Sequence, residues 1–193
     1  MGGVPKSRLV YDGATLLERA LLAASGARKA VVVGPDPGIL PADVLVCRED
    51  PPFAGPAAAI SAGLAELNRH VGEGRAPLTL ILACDMPRVG GAVEVLLHHW
   101  ASPGRDAGGP AGKDGAMAIS TDGRRQPLVG FYSTAALQRA VEDAERGKGL
   151  TDASVSSLLA SLDVRLVTVP PGSTDDVDTW DDAAALGVSR QEQ

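Results

Sequence analysis

The run Leu78-Thr79-Leu80-Ile81-Leu82-Ala83 constrains this chain more than any other segment. It is apolar apart from Thr79 and does not alternate, which is the pattern of a strand covered on both faces. It stops at Cys84-Asp85-Met86-Pro87, where proline blocks continuation. A strand covered on both faces needs helices above and below the sheet, and the remaining pattern provides them. Lys29 to Gly34 and Val44-Leu45-Val46 read as two short strands. Ala116 to Ser120 and Pro127 to Tyr132 read as two more around Thr121-Asp122-Gly123-Arg124, and Val164 to Val169 as a last one.

Helices are expected between them. Thr15-Leu16-Leu17-Glu18 has the form of a capping box, with Leu17, Ala20, Leu21 and Ala24 recurring behind it and Gly26 as the stop. Pro56 opens a helix to about Leu67, and others are expected over 93–100, 134–144 and 152–162. Asp178-Thr179-Trp180-Asp181-Asp182 opens a short terminal one, and residues 102–115 read as a glycine- and proline-rich loop. Strands alternating with helices make right-handed βαβ units, so the class is α/β with a mainly parallel sheet. At 193 residues without an internal repeat, the chain is expected to form a single domain over 1–193.

Charge and cysteine usage narrow the function. Lys and Arg number 18 against 24 Asp and Glu, so the net charge of −6 argues against a nucleic-acid platform, which needs a basic stripe. Cys47 and Cys84 have neither CxxC spacing nor a histidine cluster, which argues against a zinc site and fits reduced thiols in a cytoplasmic protein. No apolar run approaches the ~20 residues that cross a bilayer. Adjacent His98 and His99 point in different directions on a helix, and spacing assembles no Ser-His-Asp or Cys-His arrangement.

Asp85 is the first candidate site residue. A carboxylate at the carboxyl end of a buried strand stands where ligands gather in open α/β sheets, and its hard oxygens suit Mg²⁺; it equally suits a turn or a helix cap. The acidic stretch Asp175, Asp176, Asp178, Asp181 and Asp182 holds a second candidate, because Asp176 and Asp178 could share a metal. Capping of the terminal helix explains that stretch more simply. Gly147-Lys148-Gly149 lacks the upstream glycine of a phosphate-binding loop, and no G-x-G-x-x-G follows a strand.

In order, these segments resemble the molybdenum cofactor guanylyltransferases, the MobA-like nucleotidyltransferase family. Met1-Gly2-Gly3-Val4-Pro5-Lys6 looks like the end of the opening signature L-A-G-G-x-S-x-R-M-G-x-x-K, and Thr15-Leu16-Leu17-Glu18 takes the place of the first helix. Pro52-Phe53-Ala54-Gly55-Pro56 with Ile60 resembles G-P-L-A-G-I, and Cys84-Asp85-Met86-Pro87 is close to C-D-x-P. Asp122-Gly123-Arg124 through Pro127-Leu128 to Tyr132 resembles D-G-x-x-x-P-L-x-x-x-Y. Asp176-Val177-Asp178-Thr179-Trp180-Asp181-Asp182 matches a closing D-x-D-T-x-x-D. Ala57 and Ala59 replace the family's Leu and second Gly, and the closing motif carries Asp where many guanylyltransferases carry Asn.

The resemblance implies a three-layer, Rossmann-like nucleotidyltransferase fold and a reaction. GMP would pass from GTP to the terminal phosphate of molybdopterin with Mg²⁺, releasing pyrophosphate. Asp85 becomes a catalytic metal ligand with Asp178, less firmly Asp176, beside it, and Lys6 becomes the catalytic triphosphate contact. Gly2, Gly3, Gly55 and Pro56 fall in the nucleotide site, with Glu49 or Asp50 near the base or ribose. Molybdoenzymes and other cofactor-biosynthesis proteins are the implied partners. Because the chain opens inside the family signature, the first strand and its glycine-rich loop are expected to be missing, with Met1 standing for the internal methionine of R-M-G. A relative using CTP, and a non-catalytic nucleotide- or pterin-binding module, are the alternatives.

Overall fold

The computed structural model describes residues 4–35, 37–70, 76–101 and 113–190. The chain enters through a single 3₁₀ turn, Lys6–Arg8, and then forms a small hairpin of β1 (Val10–Tyr11) and β2 (Ala14–Thr15). The sequence reading has no such hairpin, although its signal is present. Asp12 and Gly13 both adopt positive φ (50° and 77°), the two-residue turn for which Asp-Gly is preferred.

Helix α1 (Leu16–Ala23) starts at the expected capping box, with Thr15 accepting from the Glu18 amide and Glu18 accepting from the Thr15 amide at 2.7 Å. It ends at Ala24, before Gly26. Hydrogen bonds from the Thr15 amide and hydroxyl hold the Glu18 carboxyl below its ordinary range. Thr15→Ala is therefore expected to cost about 1 kcal/mol in thermal or urea denaturation. The pH dependence has a definite sign. A depressed folded pKa contributes stability that is complete above the unfolded value near ~4.3 and lost as pH falls through the lower folded one. The cost of Thr15→Ala should accordingly shrink on acidification.

β3 (Ala30–Val33) and β4 (Val44–Cys47) pair in parallel as one two-stranded sheet. A second sheet has the order β5-β7-β6-β8, built from β5 (Leu78–Leu82), β6 (Gly115–Ile119), β7 (Arg125–Ser133) and β8 (Val164–Thr168). β6 and β8 are parallel, whereas β7 is antiparallel to both β5 and β6. The four-stranded sheet is thus mixed where a mainly parallel one is expected. The cause is local: the tight turn Ser120–Arg124 returns the chain directly into β7 without a crossover helix.

Helices lie on both faces of the sheet, which gives three layers. On one side α2 (Pro56–His70), α4 (Thr134–Arg146) and α5 (Val155–Leu158) cover a cluster that includes Leu64, Met117, Tyr132, Leu137 and Val141. On the other, α3 (Val89–Ala101) buries Val89, Ala92, Val93 and Leu96 against Ala116, Ala118 and Val129. Adjacent residues of β6 therefore serve opposite faces, as the pleat requires. α3 begins four residues before the expected start because Gly90-Gly91 weakens the helical pattern there. The helix expected over 152–162 shortens to α5 and a 3₁₀ turn, its start fixed where Ser154 accepts from the Ser157 amide. The chain closes with α6 (Trp180–Leu186), and most of the expected 102–115 loop lies outside the described residues. Among the described residues, no helix is long and apolar enough to cross a membrane.

Candidate active site

Pairing directions place the site. β5, β6 and β8 all run the same way, so Asp85, the turn before β7 and the segment after β8 leave the sheet at one end. Asp85 follows the end of β5 by three residues, and its carbonyl accepts from the Val177 amide at 3.0 Å. Val177 is fully buried with Leu9, Leu16, Ala183 and Val188. Fixing Val177 inward brings Asp176 and Asp178, on either side of it, to Asp85. One carboxylate oxygen from each of the three lies within 4.8 Å of the others.

Lys6 completes the group. Leu9, fully buried in the same cluster, anchors the turn that carries it. Its Nζ lies 3.4 Å from Asp85 Oδ2 and donates to Asp178 Oδ1. Burial draws the Lys6 ammonium down, but the hydrogen bond to Asp178 and the charges of Asp85 and Asp178 outweigh it, so its pKa stands above the usual lysine range. The Lys6 hydrogen bond holds Asp178 below the ordinary carboxylate value. Burial pushes Asp176 up, and Asp178 and Asp85 push it further. Three carboxylates around one ammonium form a net-anionic set of hard oxygen donors. Such a set fits a divalent cation of the Mg²⁺ type, with Asp85, Asp178 and Asp176 as the side chains to hold it.

Asp182 takes the capping role weighed for this stretch. It accepts from the Thr179 amide at 2.7 Å, while Thr179 accepts from the Asp182 amide. Asp176 and Asp178 are thereby left facing Asp85.

The other expected residues stand apart on the loop between β4 and α2. Glu49 Oε1 accepts from the Phe53 amide at 2.9 Å, bracing a turn in which Phe53 has φ 66° and Gly55 φ 93°. Pro56 is the first residue of α2, as expected. Asp50 lines a cavity of about 410 Å³ along α2 with Ser61, Arg69 and Glu145. No hydrogen bond or ion pair joins these loop residues to the Lys6 group among the described residues. Gly2 and Gly3 lie outside the described residues. Cys47 and Cys84 are both free thiols, raised chiefly by burial.

The family model of the MobA-like NTP transferase domain matches residues 1–166. The chain belongs to this family. It is a nucleotidyltransferase. Solved structures carry the same fold. Molybdopterin-guanine dinucleotide biosynthesis protein A from Archaeoglobus fulgidus aligns with TM-score 0.63 at 22% identity, over 95% of this chain and 89% of that one. The 2-C-methyl-D-erythritol 4-phosphate cytidylyltransferase of Thermus thermophilus aligns with TM-score 0.61 at 22% identity, over 94% and 91%. Its Francisella tularensis counterpart gives TM-score 0.66 at 12% identity, over 96% and 93%. No curated protein matches the chain.

Proposed function

We propose that this nucleotidyltransferase transfers GMP from GTP to the terminal phosphate of molybdopterin and releases pyrophosphate. The observation that carries the reading is the Lys6 ammonium set between Asp85 and Asp178 at the sheet end, with Asp176 beside them. The guanine and pterin specificity rests on the six ordered motifs of the sequence.

A phosphate monoester has a second pKa near ~6 and is largely dianionic at neutral pH, so the nucleophile needs no general base. The barrier is the approach of two anions, and the residues present address it through positive charge and alignment. Lys6 presents its ammonium to the triphosphate; the family resemblance alone assigns Gly2 and Gly3, which lie outside the described residues, to the same nucleotide site. Asp85 and Asp178, with Asp176, hold Mg²⁺, which when bound polarises the phosphoryl oxygens as a Lewis acid. Gly55 and Pro56 shape the base site. Asp50 is the better base contact of the two acids, because Glu49 is already committed to the Phe53 amide. A carboxylate there accepts from guanine N1–H and N2–H₂ together, a pairing that adenine and cytosine cannot offer.

Pyrophosphate release should require GTP, molybdopterin and Mg²⁺ together, with CTP and ATP slower by about 10²-fold or more. A preference for CTP, or release independent of molybdopterin, would overturn the assignment.

A further inference from the structure

Arg19 belongs to no motif that the sequence singles out, yet it makes a short contact, 68 positions distant, to the loop that carries Asp85. From α1 its Nε donates to the Pro87 carbonyl at 2.6 Å, and its side chain is only 27% exposed. The guanidinium lies over the Tyr11 ring, 4.7 Å from the centroid, and Nη1 reaches the Tyr11 carbonyl at 3.4 Å. The Tyr11 hydroxyl accepts from Arg88 Nε at 3.0 Å, one residue beyond Pro87. Arg88 in turn reaches across to the Gly172–Asp175 segment that leads to Asp176.

Two backbone carbonyls thus hold the Asp85 loop to two different segments. Asp85 O is held by the Val177 amide and Pro87 O by Arg19. Tyr11 follows the Lys6 turn by a few residues. The Arg19–Tyr11–Arg88 stack therefore links the segments that supply Lys6 and Asp85 and abuts the one that leads to Asp176 and Asp178.

We propose that Arg19 is a positioning residue of the active site, holding the Asp85 loop in register with Lys6 and Asp178 through the Pro87 carbonyl. Its planar fork suits the task, since one edge binds a carbonyl while the face stacks on an aromatic ring. The inference rests on the reading that Asp85 and Asp178 hold a divalent cation.

Mn²⁺ titration followed by electron paramagnetic resonance tests it, with turnover and melting temperature measured alongside. Arg19→Met keeps the apolar stem and removes the donors. It should weaken Mn²⁺ binding or kcat by about 10- to 100-fold, the usual effect of losing a group that orients a metal ligand. KM for GTP should change little, and Arg19→Lys should recover part of the loss by restoring a donor. Tyr11→Leu, which removes the ring under the guanidinium, should shift Mn²⁺ binding in the same direction and serves if Arg19→Met cannot be purified folded. Unchanged Mn²⁺ affinity and kcat in folded Arg19→Met, or in Tyr11→Leu where it stands in, would overturn the positioning role. Wild-type chain that binds no Mn²⁺ would instead overturn the metal reading beneath it.

Discussion

Asp85→Asn is expected to lower turnover by about 10³-fold, in line with the loss of a principal electrostatic group from a transfer site. Asparagine has nearly the same shape, and the backbone carbonyl that accepts from Val177 is untouched. The folded structure should therefore survive. Lys6 would keep Asp178 as its partner, so no buried cation is left unpaired. A steady-state assay paired with a melting curve separates the two effects. Near-normal turnover in a folded Asp85→Asn protein would remove Asp85 from the reaction.

The largest effect on stability is expected at Tyr132, far from any chemistry. This residue is fully buried in the cluster beneath α2, α4 and α5, and its hydroxyl donates to the Pro127 carbonyl at 2.8 Å. The ring folds back along its own strand over Gly130, where an added Cβ would sit 2.7 Å from the hydroxyl. Gly130 thus makes the room that Tyr132 fills. Tyr132→Ala should cost about 3–5 kcal/mol through lost burial and a cavity. At about 2–4 °C per kcal/mol for a chain of this size, melting should fall by roughly 6–20 °C. Tyr132→Phe removes only the hydroxyl and should cost about 1–2 kcal/mol, since Pro127 loses its partner. An unchanged melting temperature in Tyr132→Ala would contradict this account of the core.

Local signals explain what the sequence showed of this fold. The β5 run, the Thr15 capping box and Pro56 at the start of α2 each act within a few residues, and each stands where it was read. Where a signal depended on weak propensity the boundary moved, as at Gly90-Gly91. The Asp12-Gly13 turn carries a legible signal, but the two-residue strands on either side of it are too short to show an apolar period. The antiparallel direction of β7 follows from the tight turn over 121–124, which the sequence does show; its place between β5 and β6 depends on long-range pairing that leaves no local mark.

The site divides along the same line. Asp85 could be read from its place after a buried strand, and Lys6 from the resemblance of the opening segment. The choice between cap and cluster for the C-terminal aspartates could not be made from spacing. It depends on Val177, which buries its side chain and donates its amide to Asp85, and on Asp182 taking the cap. Arg19 was invisible for a related reason. Its partner is a backbone carbonyl 68 positions away, and a carbonyl leaves no mark in the sequence.

The most direct test of the account is titration of GTP with Mg²⁺ into the wild-type chain and into Lys6→Met, read by calorimetry and thermal shift. If Lys6 and the three aspartates form one nucleotide site, GTP at about 100 times its Kd stabilises the wild-type protein by about 2.7 kcal/mol. Lys6→Met should lose most of that shift while melting normally without ligand. An equal shift in both proteins would mean that the triphosphate is held elsewhere, and that the strand-end cluster is not the site of transfer.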